Sequence, residues 1–105
     1  MKTNFNSLGE IVTEIRKYKK FSQSALADLL GITQAYLSQI ENDQKFPSNA
    51  LLKKISNIFQ IPVSVLMYLT IQENEVPEEK RLAWRMLQPT INALIASVFL
   101  SDKLL

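Results

Sequence analysis

Phe21 to Ile40, FSQSALADLLGITQAYLSQI, sets a small residue, a glycine and a series of apolar anchors at the offsets that two crossing helices require. Counting from Gln23, Ala27 is fifth, Gly31 ninth, Leu37 fifteenth and Ile40 eighteenth, while Leu26, Leu30 and Ile32 fill the other inward positions. Helices that cross at about 90–120° through a turn of about three to four residues need a small side chain at the crossing. They also need a glycine where the first helix ends in a left-handed conformation. Ala27 and Gly31 meet these two needs. Ser22 and Thr33 stand just before the two apolar patterns, and each carries the oxygen that serves the free amides of a helix start. The spacing therefore predicts one helix over 23–30 and another over 34–42, joined by a tight turn.

With these residues in view, the segment resembles the helix-turn-helix domain of the Cro and lambda-repressor type, also called the xenobiotic-response-element regulator family. The resemblance runs from about Leu8 to Leu69. Ser22-Gln23, Ala27, Gly31-Ile32-Thr33, Tyr36-Leu37-Ser38, Ile40-Glu41-Asn42 and Pro47-Ser48 carry it, in family order and spacing. It implies an all-α, five-helix lambda-repressor-like DNA-binding domain whose third helix enters the major groove.

Outward from the motif, the periodicity supplies the other three helices. Ser7-Leu-Gly-Glu10 reads as a capping box, and Leu8, Ile11, Val12, Ile15 and Tyr18 then form one apolar face of a first helix ending near Lys20. After the loop Asp43 to Pro47, Ser48 caps a fourth helix through Leu51, Leu52, Ile55, Ile58 and Phe59. Pro62 opens a short fifth with Val65, Leu66 and Leu69. The polar stretch Gln72 to Pro77 reads as a hinge, which divides the chain into a DNA-binding domain over 1–71 and a helical oligomerisation segment over 72–105. In that segment Leu82, Ala83, Met86 and Leu87 share a face before Pro89, which is expected to kink or end the helix. Ile91, Leu94, Ile95, Val98 and Phe99 form a second apolar stripe beyond it.

Composition narrows the chemistry. The chain has 105 residues and 47% hydrophobic content, enough for one compact core, and its two glycines are few for a sheet-rich fold. It has neither cysteine nor histidine, which removes thiolate nucleophiles, disulfides, imidazole bases and the commonest zinc ligands. No catalytic, cofactor or metal residues are assigned, and the protein is expected not to be an enzyme. The start MKTNFNSLGE lacks a secretory apolar run and no segment is apolar over the ~18 residues of a membrane span, so a cytoplasmic protein is expected. Net charge is only +2, but residues 1–70 hold eight Lys and Arg against five Asp and Glu, so the positive excess lies with the motif.

Gln34 begins the third helix, and a glutamine amide can pair with an adenine edge in the major groove. Ala35 suits a thymine methyl, and Ser38 and Gln39 complete the expected base contacts. For the DNA backbone, the resemblance implies Gln23, which would also brace Gln34, together with Asn42 and Lys45 just past the recognition helix. Tyr36, Arg16 and Lys17 are further backbone candidates. Glu41 is read as structural, since a carboxylate beside phosphates is repelled; it would bond backbone amides or a basic neighbour. Asn42-Asp43 stands where the family often has glycine, and both residues tolerate left-handed geometry. Ala25 stands where the family commonly has an acidic residue, which predicts a weaker start to the second helix.

One such domain covers one half-site, so a twofold dimer on a palindrome is expected, with half-sites about 34 Å apart. Trp84, Ile91, Leu94, Ile95, Val98 and Phe99 are the candidate dimer interface. The alternatives are that this stripe folds back on the core, or that it meets an antagonist or toxin protein. The functional reading is a sequence-specific regulator of transcription binding double-stranded DNA, with repression as the expected sense. An antitoxin that binds its own operator and neutralises a protein partner through the tail is the alternative.

Overall fold

The computed structural model describes residues 4–100, and all regular structure among them is helical. Five helices form the domain that the resemblance implies: α1 (Leu8–Tyr18), α2 (Gln23–Leu30), α3 (Gln34–Glu41), α4 (Asn49–Phe59) and α5 (Val63–Tyr68). Two short 3-10 turns, Glu73–Glu75 and Glu78–Lys80, lead into a long α6 (Arg81–Phe99). Phe5, Ile11, Ile15, Leu26, Leu37, Ile40, Ile55, Phe59 and Leu66 are among the buried side chains of a single core to which α1 to α5 all contribute.

The helix boundaries have local causes. Ser7, Ser22, Thr33 and Ser48 each accept an amide hydrogen bond three residues on, from Glu10, Ala25, Tyr36 and Leu51. The capping box at α1 closes one residue early, because Glu10 accepts from the amide of Asn6 at 3.1 Å rather than from that of Ser7. Gly31 ends α2 in the left-handed region at φ 71°, and Ala27 at the crossing is 1% exposed. These are the two roles the sequence assigned them. Asp43 takes the left-handed conformation after the recognition helix, at φ 60°.

Asp43 also ties the first helix to the third. Its carboxylate accepts from the Ser7 hydroxyl at 2.6 Å and from the Gly9 amide at 3.0 Å, so a side chain beyond α3 satisfies the amino end of α1. The approach is close enough to require glycine. A Cβ on Gly9 would lie 2.5 Å from the carbonyl oxygen of Ile40 and 2.6 Å from that of Glu41. Gly9→Ala is therefore expected to lower stability by about 2 kcal/mol despite its better helix propensity. That loss reads as a fall in Tm of roughly 10 °C in a thermal melt.

The polar stretch after α5 is pinned. The Gln72 amide donates to the carbonyls of Phe5 at 3.0 Å, Asn6 at 3.2 Å and Thr70 at 3.1 Å, and Arg81 donates to those of Val76 and Asn74. Arg85 grips Glu73 at 2.8 Å, and its hydrogen bond holds the exposed Glu73 carboxyl below the usual carboxylate range.

The two expected tail segments are one helix. Pro89 lies inside α6 on an exposed position, and the helix continues through it. One face of α6 lies on the domain. Ile95, Ala96 and Phe99 pack against the core, Asn92 is buried, and the Trp84 ring tilts over Tyr68 with centroids 6.0 Å apart. Ile95 and Phe99, expected at a partner surface, thus take the fold-back arrangement, because their spacing puts them on the Asn92 side of the helix. Leu87, Ile91, Leu94 and Val98 recur at steps of four, three and four residues and are 58, 39, 61 and 65% exposed.

Candidate nucleic-acid interface

At 100° per residue, Gln34, Ala35, Ser38, Gln39 and Asn42 fall within about 140° of arc on α3 and its C-cap. Opposite them, Leu37 and Ile40 are buried. Gln34 and Ala35 are exposed, and Ser38 and Gln39 are half-buried on the same face. The four expected base-reading side chains are therefore presented together. Tyr36 is not among them, since it lies on the inward side of α3, partly buried against the core.

A chain of hydrogen bonds fixes the amino end of this face. Arg16 donates to both oxygens of Glu41, from Nε at 2.7 Å and from Nη2 at 3.1 Å, and from Nη1 to the carbonyl of Phe21 at 3.0 Å. Gln23 donates to the Glu41 carboxylate at 3.1 Å, and the Gln34 amide donates to the Gln23 oxygen at 3.4 Å. The Arg16 and Glu41 side chains are 12% and 5% exposed. In so dry a setting a bidentate pair is geometrically demanding, and it fixes α1, the start of α2 and the end of α3 relative to one another.

This arrangement settles two sequence expectations in structural terms. Glu41 is held by a basic neighbour, as its structural reading requires. Arg16, expected among the phosphate contacts, is withdrawn from that set, because all three of its nitrogens are committed inside the protein. Nothing in the periodicity names Arg16 as the partner of Glu41, since residues 25 apart show no periodic relation.

Past α3, Asn42 donates to the Ser38 hydroxyl at 3.3 Å, and the amides of Gln44 and Lys45 both reach the Gln39 carbonyl, at 2.8 and 3.3 Å. The loop is thereby folded back on the recognition helix, with Asn42 and Lys45 exposed on it. Lys17 is exposed near the end of α1. Gly9 and Asp43, which seat α3 against α1, are the contributors that sequence reasoning missed. Gly9 was visible only as part of a capping box. Among the described residues no group of three or more Asp or Glu side chains is placed to hold a metal ion, and no helix is long and apolar enough to cross a membrane.

A polar helix face on α3, joined to α2 through a tight turn at the left-handed Gly31, defines a helix-turn-helix domain. Residues 12–66 match the family described as helix-turn-helix, and the chain belongs to that family, in its Cro and lambda-repressor branch. The ImmF control region 10 kDa protein of Bacillus phage phi105 is 35% identical over 65 residues, 62% of this chain and 72% of that protein. The HTH-type transcriptional regulator SinR of Bacillus subtilis (strain 168) is 38% identical over 61 residues, 57% of this chain and 55% of its own. The immunity repressor protein of phage phi105 is 31% identical over 86 residues, 76% of this chain and 60% of its own. The chain thus spans little more than half the length of these last two relatives.

Proposed function

We propose that the protein represses transcription by binding a palindromic operator in double-stranded DNA as a homodimer. The observation that carries this reading is the one face of α3 shared by Gln34, Ala35, Ser38 and Gln39, with Gln23 hydrogen-bonded to Gln34. In the major groove, the Gln34 amide would read an adenine edge and Ala35 a thymine methyl, with Ser38 and Gln39 reaching neighbouring bases. Gln23, Asn42, Lys45 and Lys17 would hold the phosphates and so fix register without reading sequence. The relatives, which include a transcriptional regulator and an immunity repressor, support repression as the sense of the control.

Dimerisation rests on residues 72–105, with residues 1–71 as the DNA-binding unit. Of the expected interface, α6 leaves Ile91, Leu94 and Val98 open to a second copy, and the exposed Leu87 extends that stripe. An antagonist or toxin protein docked on the same stripe is the alternative occupant, and a purified protein that stays monomeric at micromolar concentration would favour it.

Two substitutions separate base reading from backbone binding. Gln34→Ala is expected to cost about 1–3 kcal/mol at the cognate site and to relax preference at one base pair. Fluorescence anisotropy on a set of single-base operator variants checks this, and equal weakening on every sequence would make Gln34 a backbone contact. Lys45→Ala is expected to weaken binding evenly across sequences and to reduce the slope of log affinity against log salt by about one. An unchanged slope would remove Lys45 from the phosphate contacts.

A further inference from the structure

We propose that the cleft between the carboxyl end of α1 and the carboxyl end of α6 binds a small amphipathic anion, a carboxylate carried on an apolar body. The cleft has a volume of about 610 Å³, within the range of small-ligand sites. Tyr18, Phe21, Ile58 and Phe99 supply apolar walls from α1, the α1–α2 link, α4 and α6, and Lys19 and Lys20 stand with them.

Charge decides the class of ligand. The ion pairs among the described residues join Arg16 to Glu41 and Arg85 to Glu73, and neither Lys19 nor Lys20 takes part in them or in a side-chain hydrogen bond. Lys19 and Lys20 therefore line the cleft with neither ammonium paired to an acidic side chain among the described residues. Several other polar groups of the turn are already engaged. The carbonyls of Ile15, Arg16 and Lys17 accept the amides of Lys19, Phe21 and Lys20, and the Tyr18 hydroxyl donates to the carbonyl of Leu100. The cleft thus offers a ligand cationic charge beside apolar surface. That combination suits a carboxylate head on an aliphatic or aromatic body.

The cleft also touches the framework of the recognition helix. Phe21, one of its walls, gives its carbonyl to Arg16, which holds Glu41 at the end of α3. Ligand binding itself stands independently of the DNA-binding reading, and the test uses no DNA.

The full chain, labelled with nitrogen-15, is titrated with octanoate and separately with 1-octanol while amide shifts are followed by NMR. The expected result is a saturable octanoate response at about 1 mM or below, centred on the amides of Tyr18 to Phe21, Ile58 and Phe99. Octanol is expected to bind at least severalfold more weakly. The double variant Lys19→Ala/Lys20→Ala, with an otherwise superimposable spectrum, is expected to lose about tenfold or more in octanoate affinity. Absence of a saturable response, equal affinity for octanol, or a response centred on Leu87, Ile91, Leu94 and Val98 would each overturn the proposal. If the double variant fails to fold, Lys20→Gln alone carries the charge test, with a severalfold loss expected and unchanged affinity contradicting it.

Discussion

Arg16→Ala lowers the free energy of unfolding by about 3–5 kcal/mol, the cost expected when one partner of a largely buried ion pair is removed. The truncation leaves the Glu41 carboxylate, 5% exposed, with only the Gln23 amide at 3.1 Å to offset its lost solvation. It also frees the Phe21 carbonyl that Arg16 holds at 3.0 Å. Against a total stability of about 5–15 kcal/mol for a domain of this kind, that loss leaves a marginal fold. Urea denaturation measures it directly, and a loss under about 1 kcal/mol would mean that water reaches the pair in solution. The double variant Arg16→Met/Glu41→Leu, which removes both charges at once, is expected to recover most of the stability. It should not recover sequence discrimination, because Gln23 then loses the anchor from which it braces Gln34.

Leu94→Asp is expected to leave the domain folded and to abolish the dimer. Leu94 is 61% exposed on α6, so a carboxylate there meets water in the monomer and costs about 0.5 kcal/mol or less. In a helix pair the same carboxylate would be buried without a partner. Loss of bivalent engagement should then lower operator affinity by about 10²–10⁴-fold, with the single-domain contacts intact. Light scattering and anisotropy on a full palindrome measure the two effects together. A variant that remains dimeric would exclude this stripe from the interface. Ile95→Asp is not an equivalent test, since Ile95 packs against the core and its loss would unfold the segment it anchors.

The five helices were legible because their determinants are local. A serine or threonine before each of α1 to α4, a glycine after α2 and apolar spacing along each helix are all readable within a dozen residues. That Gln34, Ala35, Ser38 and Gln39 share one side of α3 was legible for the same reason, since helical phase alone places them there; their assignment to bases came from the resemblance. What escaped the sequence depends on contacts between distant residues. The grip of Arg16 on Glu41, the capping of α1 by Asp43 and the space that Gly9 leaves for α3 each join positions 25 or more apart. Pro89 was read as a kink or an end, and α6 does not end there but continues through it. The tail stripe was read as one surface, whereas the helix divides it between the core and the outside.

Selection of bound duplexes from a random DNA library with the purified protein at physiological salt tests the central claim most directly. The account predicts enrichment of a palindrome whose half-sites lie about ten base pairs apart, with adenine or thymine fixed at the position Gln34 and Ala35 reach. Enrichment of no sequence, or of an isolated half-site with no symmetric partner, would contradict it.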